Sequence, residues 1–180
     1  MAPTDADLVA RVLLDDDRDA FAQIVRRHQS PVRSLLRRLS CGDTALADDL
    51  AQETFLRAYR GLAGFRGDAR LGTWLHRIAY RTFLDEAVRR RDELGRELAD
   101  DEAPDAREGA DLRMDLEQAM RFLSPAERTA IALAFGRDLS HEEVATVLDC
   151  PVGTVKTHIA RGKDRLRRRL LAWRGAAVEG

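Results

Sequence analysis

Apolar positions recur at the three-and-four spacing of helices along almost the whole chain. Phe21, Ile24, Val25, Val32, Leu35, Leu36 and Leu39 form one such stripe, and Pro31 inside it predicts a kink. A second stripe runs through Leu46, Ala47, Leu50, Ala51, Phe55, Ala58 and Tyr59, and ends where Gly61, Gly64 and Gly67 mark a loop. A third helix is expected from about Leu71 to Val88, burying Leu71, Trp74, Leu75 and Ile78. Residues 93–111 mix Gly, Pro and acids without apolar periodicity and read as a linker. Shorter helices follow. Ser124-Pro125-Ala126-Glu127 and Ser140-His141-Glu142-Glu143 each set a serine three residues before a glutamate, the arrangement that caps a helix start reciprocally. No strand-type alternation and no repeat stands out. The pattern predicts an all-α protein with two small helical domains, 5–92 and 112–174, joined by an acidic flexible linker over 93–111.

The last two helices carry the clearest local signal. A helix over 141–148 is expected to bury Val144, Ala145, Val147 and Leu148. The tight connection Asp149-Cys150-Pro151-Val152 follows, and a second helix starts near Gly153. There Val155, Ile159, Leu166 and Leu170 share one stripe, with Gly162 beside it permitting close approach. The opposite stripe holds Thr154, Thr157, His158, Arg161 and Arg165, flanked by Lys156 and Lys163. A two-helix unit that is apolar behind and basic in front suits insertion into a DNA major groove. Arg can read guanine edges, Thr can touch thymine methyls or phosphates, and Arg167-Arg168-Arg169 can hold backbone phosphates. Cys150 in the turn reads as a small packed side chain.

Composition changes this picture only when charge is located. In 180 residues, 30 Lys and Arg face 31 Asp and Glu, a formal net charge of −1. That total argues against a polyanion partner, yet it averages opposed blocks. Glu93–Asp115 carries nine acids and three arginines, while Lys156–Arg174 carries eight bases and one acid. Such segregation points to a polyanion after all. The absence of an 18-residue apolar run and of a basic-then-apolar start leads us to expect no membrane insertion, no secretory signal and a cytoplasmic location. Cys41 and Cys150 stand far apart and predict neither a disulfide framework nor a zinc site.

The predicted third helix has a second face as well. Arg70, Thr73, Arg77, Tyr80, Arg81 and Leu84 lie opposite its apolar stripe, and the loop Phe65-Arg66-Gly67-Asp68-Ala69-Arg70 precedes it. Cations interleaved with rings are what single-stranded nucleic acid requires, for phosphate and for unstacked bases. Trp74 reads as core, whereas Tyr80 and Phe65 suit either role. Catalytic and metal motifs do not emerge. His141-Glu142-Glu143-Val144-Ala145 lacks the second His of a zinc protease, the glycines at 61, 64 and 67 match no phosphate loop, and acids near Asp43 and Asp48 favour a helix N-terminus without a metal. The expectation is a protein that is not an enzyme and carries no cofactor.

Several segments resemble the extracytoplasmic-function sigma factors, small subunits that direct bacterial RNA polymerase to promoters. They are Asp48-Asp49-Leu50-Ala51-Gln52-Glu53-Thr54-Phe55-Leu56-Arg57-Ala58-Tyr59, Phe65-Arg66-Gly67-Asp68, and Thr73-Trp74-Leu75-His76-Arg77-Ile78-Ala79. Leu123-Ser124-Pro125-Ala126-Glu127-Arg128 and Pro151-Val152-Gly153-Thr154-Val155-Lys156 complete the set, in the family's order and spacing. The resemblance implies polymerase clamp-helix docking through Asp48, Asp49, Gln52, Glu53 and Arg57. It implies −10 recognition and melting through Phe65, Arg66, Asp68, Arg70, Thr73, Arg77, Tyr80, Arg81 and Leu84. Reading of duplex −35 DNA falls to Thr154, Lys156, Thr157, His158, Arg161, Lys163 and Arg165, on a domain that also packs on the polymerase flap. The acidic linker would thread toward the active-site channel. A monomer when free, masked by an anti-sigma factor held between the domains, is the further implication. Three departures from the family's usual pattern stand out: Arg81 stands where many relatives carry Asn, Thr157-His158 where Ser-Arg is common, and Asp149 where Gly is usual. Asp is tolerable there because it can adopt the left-handed conformation. Two other readings, a dimeric operator-binding regulator and a sequestering interaction protein, leave the Asp49/Gln52/Glu53 surface or both basic faces unexplained.

Overall fold

The computed structural model describes residues 2–94, 118–136 and 139–176. Its helices are α1 (Asp5–Asp15), α2 (Arg18–Leu39), α3 (Thr44–Gly61), α4 (Leu71–Leu94), α5 (Pro125–Gly136), α6 (His141–Leu148) and α7 (Val152–Ala176), with a 3₁₀ turn at Leu62–Gly64. Among the described residues there is no strand, no group of residues suited to a metal ion, and no helix long and apolar enough to cross a membrane.

Local chemistry sets the helix starts. Thr4 and Asp7 cap α1 reciprocally, and the carboxylates of Asp17 and Asp43 accept from the Ala20 and Leu46 amides to open α2 and α3. Both expected serine boxes form: Ser124 Oγ accepts from Glu127 N at 3.3 Å, and Ser140 Oγ accepts from Glu143 N at 3.2 Å. Helix α2 continues through Pro31 to Leu39.

In the first half α1 to α4 pack together, with α2 against α1, α3 and α4. Leu8, Ile24, Leu35, Leu36, Leu39 and Leu75 are almost fully buried there. Each such side chain contributes about 1.5–3 kcal/mol relative to an exposed one. Asp5 pins α1 onto α2 by pairing with Arg27 at 3.0 Å and His28 at 2.9 Å. In the second half Leu133, Val144, Val147, Val155 and Ile159 are buried where α5, α6 and α7 meet. Gly162 is the close-approach point expected from sequence, since a Cβ there would meet Ile131 Cδ1 at 2.5 Å.

Four expectations are corrected. Helix α4 runs on to Leu94, beyond Val88, because Glu86 pairs with Arg89 and Arg90, and Arg89 also pairs with Glu93, which sustains the helix past its apolar stripe. The inner stripe of α4 is Leu71, Leu75 and Ala79, leaving Trp74 and Ile78 half-buried. On α7 the apolar stripe is buried only as far as Gly162: Leu166 is half-buried and Leu170 exposed. Ala145 and Leu148 of α6 are half-buried, with Val144 and Val147 facing inward. The linker reading falls on residues outside the described ones, apart from the final residues of α4.

The two halves touch. α4 lies against α6 and α2 against α5, so the buried apolar residues form one cluster across both.

Candidate nucleic-acid interface

The loop between α3 and α4 folds over a hollow of about 370 Å³ lined by Gly64, Phe65, Arg66, Asp68, Ala69, Trp74, Arg77 and Thr146. The rings of Phe65 and Trp74 lie 5.3 Å apart and tilted, giving an apolar wall beside two guanidinium groups and one carboxylate. Gly67, at φ 77°, makes the turn an L-side chain would resist. A cavity with an aromatic wall and a few polar edges can take a flat heteroaromatic ring and bond its rim.

Helix α4 does not present one uniform basic face. Arg66, Asp68 and Arg70 are exposed, and Arg70 is almost fully so. Thr73 and Tyr80, both sequence candidates for strand contact, are buried because α6 covers them. Burial, with Cys150 as a smaller second cause, pushes the Tyr80 phenol above its ordinary value. Arg77 and Arg81 both reach Asp149 at the end of α6, at 3.0 and 2.9 Å. The Arg77 charge first, and the hydrogen bonds from both arginines with it, hold the Asp149 carboxyl below the usual range. Glu143 of α6 approaches Thr73 at 3.5 Å and Arg70 at 3.8 Å. Leu84 is half-buried.

The helical pair α6–α7 turns at Asp149, which adopts φ 57° and ψ 44° and donates its amide to the Ala145 carbonyl. The left-handed position expected of Asp at this site is therefore occupied by it. Cys150 is half-buried against the core, and burial pushes its thiol up. On the outer side of α7, Lys156, Thr157 and Arg161 are exposed, with Thr154 and His158 half-buried beside them. Two sequence candidates turn elsewhere. Lys163 places its ammonium 4.3 Å above the Phe135 ring, and Arg165 pairs at 3.3 Å with Glu127, whose side chain is buried. Both thus fasten α7 to α5, leaving Lys156, Thr157 and Arg161 as the outward set.

On α3, Asp49 and Gln52 are exposed, whereas Asp48 pairs with Arg33 at 3.1 Å and Glu53 with Arg57 at 2.8 Å. Arg57 also pairs with Asp85 of α4, and that bond with Glu53's raises its pKa further. Next to this surface an apolar groove of about 610 Å³ runs between α2 and α3, floored by Phe21, Val25 and Phe55, with Leu56 exposed at its edge.

Three participants escaped the sequence reading. Asp149 and Glu143 were legible as a turn residue and a cap, not as partners of α4. Arg128, inside a quoted motif, is buried and donates to the carbonyls of Met120 at 2.9 Å, Leu123 at 3.1 Å and Leu39 of the other half. Nothing in its spacing distinguishes it from a surface arginine.

The comparisons with known proteins agree with this geometry. The sigma-70 region 2 family model matches residues 24–93, and that of sigma-70, region 4, matches residues 113–166. The chain is 37% identical to the RNA polymerase sigma-H factor of Pseudomonas aeruginosa, over 92% of this chain and 93% of that one. It is 34% identical to the ECF RNA polymerase sigma factor SigW of Bacillus subtilis, over 86% and 90%. Among solved structures it resembles the sigma factor RpoE of Bartonella quintana in complex with the anti-sigma factor NepR, at 27% identity and TM-score 0.69 over 83% and 96% of the two chains. CnrH in complex with the cytosolic domain of CnrY gives 26% identity and TM-score 0.70 over 93% and 97%. Sequence, order of the two regions and fold thus converge, and the chain belongs to the extracytoplasmic-function sigma factors of bacterial RNA polymerase.

Proposed function

We propose that the two halves divide promoter recognition between them, with residues 5–92 acting at −10, 112–174 at −35, and 93–111 as the tether. The observation that carries this reading is the hollow behind Phe65, where an aromatic wall, Arg66, Arg77 and Asp68 suit a base flipped from the −10 element. Arg70, Arg77 and Arg81 along α4 then follow the phosphates of the parted strand, with Thr73, Tyr80 and Leu84 beside them. On α7, Lys156, Thr157 and Arg161, supported by Thr154 and His158, meet the major groove of −35 DNA. Lys163 and Arg165, occupied by Phe135 and Glu127, act chiefly by fixing α7 on α5. Asp49 and Gln52 meet the polymerase clamp helices, and Asp48, Glu53 and Arg57 hold that surface in shape through Arg33 and Asp85. The C-terminal half also rests on the polymerase flap.

The protein acts in the cytoplasm as an initiation factor without catalytic chemistry of its own, and is a monomer when free. An anti-sigma factor restrains it, as the structurally similar RpoE of Bartonella quintana is held in complex with the anti-sigma factor NepR. Purified protein with core polymerase is expected to initiate at specific promoters, and neither alone. Replacing Arg161 with Ala is expected to weaken −35 discrimination by ~1–3 kcal/mol if the side chain pairs with a guanine. Uniform loss across sequences would make it a phosphate contact, and no polymerase-dependent initiation would overturn the reading.

A further inference from the structure

The surface assigned to the parted strand already has an occupant, helix α6 of the same chain. Asp149 takes both Arg77 and Arg81, Glu143 stands over Thr73 and near Arg70, and Thr146 forms part of the wall of the Phe65 hollow. These carboxylates meet the cations that a strand's phosphates would meet, and the side chain between those contacts, Tyr80, is buried.

We infer that the acidic edge of α6 is an internal stand-in for DNA, so that in the free protein α6 and a single strand compete for the same side of α4. The inference rests on the promoter reading of α4 and deepens it by naming what holds that face when polymerase is absent. Asp149 acts here as a latch. It belongs to neither proposed DNA-contact set, and its conformation can be kept while its charge is removed: Asn and Gly both tolerate φ near 57°.

The test uses the full-length free protein and three variants, Asp149→Asn, Asp149→Gly and Glu142→Gln. Glu142 is exposed on the same helix and makes no bond to α4, so it controls for the loss of one negative charge. Small-angle scattering reads the separation of the halves, and a fluorescent oligo-dT probe reads access to α4. Exposed ion pairs are weak, so removing the Asp149 charge is expected to lower the closed-to-open ratio by about threefold to fivefold at low salt. Where the closed form dominates, probe affinity rises by the same factor. Asp149→Asn and Asp149→Gly are expected to enlarge the radius of gyration together, and Glu142→Gln to leave it unchanged. High salt should bring the wild type toward the variants. The latch is overturned if both Asp149 variants keep the wild-type radius and the wild-type probe affinity, or if Glu142→Gln raises probe affinity as much as they do. Failure of the promoter reading shows separately, as absence of polymerase-dependent initiation whatever the scattering.

Discussion

Arg128 offers the sharpest test of what holds the second half in place. Arg128 is only 8% exposed, and its guanidinium donates to the carbonyls of Met120, Leu123 and Leu39. Those oxygens belong to the turn before α5 and to the end of α2, and of them the Met120 carbonyl also accepts from the Leu123 amide at 3.2 Å and is partly spared. Replacing Arg128 with Met keeps most of the apolar stem and removes every donor. Each carbonyl left dry costs about 1–3 kcal/mol. The Leu39 oxygen is partly spared, since the Cys41 thiol also donates to it at 3.8 Å. Relief works the other way: burial lowers the Arg128 pKa, so the charge itself sits at a cost that the variant removes. The balance favours a net loss of about 2–4 kcal/mol, a fall in Tm of about 5–15 °C for a chain of this size. Urea unfolding followed by circular dichroism, with Arg121→Ala as an exposed control expected within about 0.5 kcal/mol, measures it. If Arg128→Met unfolds within about 0.5 kcal/mol of the wild type, the carbonyl bonds carry no net stability and the argument fails.

Other expectations follow from single contacts. Gly162→Val should lose about 1–3 kcal/mol by driving Ile131 from α7, while Gly153→Ala, with open space around it, should be neutral or slightly stabilising; thermal melts of the pair decide. Ser140→Ala removes the cap of α6 and should cost about 1 kcal/mol, read as faster amide exchange in that helix. Glu86 is held at about 2 by Arg89 and then Arg90, below the ordinary 4.5, so its contribution to the end of α4 is complete above that ordinary value and is lost as pH falls toward about 2. Carboxyl NMR titration checks it, and a midpoint above 4 would refute the pairing.

The legible part of this protein was the part written at short range. The stripes of α2 and α3, the two serine boxes and the left-handed Asp149 follow from neighbours within a turn or two, and they stand where the spacing puts them. Close approach at Gly162 was readable because only a missing Cβ explains a glycine in a helical stripe. What depended on residues far apart was not legible. Thr73 looked like surface, and Tyr80 suited either role, because periodicity assigns a helix one buried face, and the second half supplies a cover for the other. The partners of Lys163 and Arg165 were hidden because charge alone does not reveal Phe135 or Glu127 across the packing.

The character of the contact between halves bears on how it can serve a promoter. A seam that must part is better built from groups water can take back than from apolar surface it must expose. The polar links described across it have that form. Asp149 holds Arg77 and Arg81 with its side chain 63% exposed, Arg38 donates to the Ala132 carbonyl at 3.1 Å, and Arg128 donates to the Leu39 carbonyl. On separation each arginine regains hydration, and Arg128 keeps its bonds to Met120 and Leu123 within its own half. Parting the halves also opens the apolar cluster that spans them, and within it the Tyr80 ring is a group that a strand base could cover again. The polar links are therefore the part of the seam that exchanges cheaply, since a polyanion competing for α4 can take over the arginines that Asp149 holds.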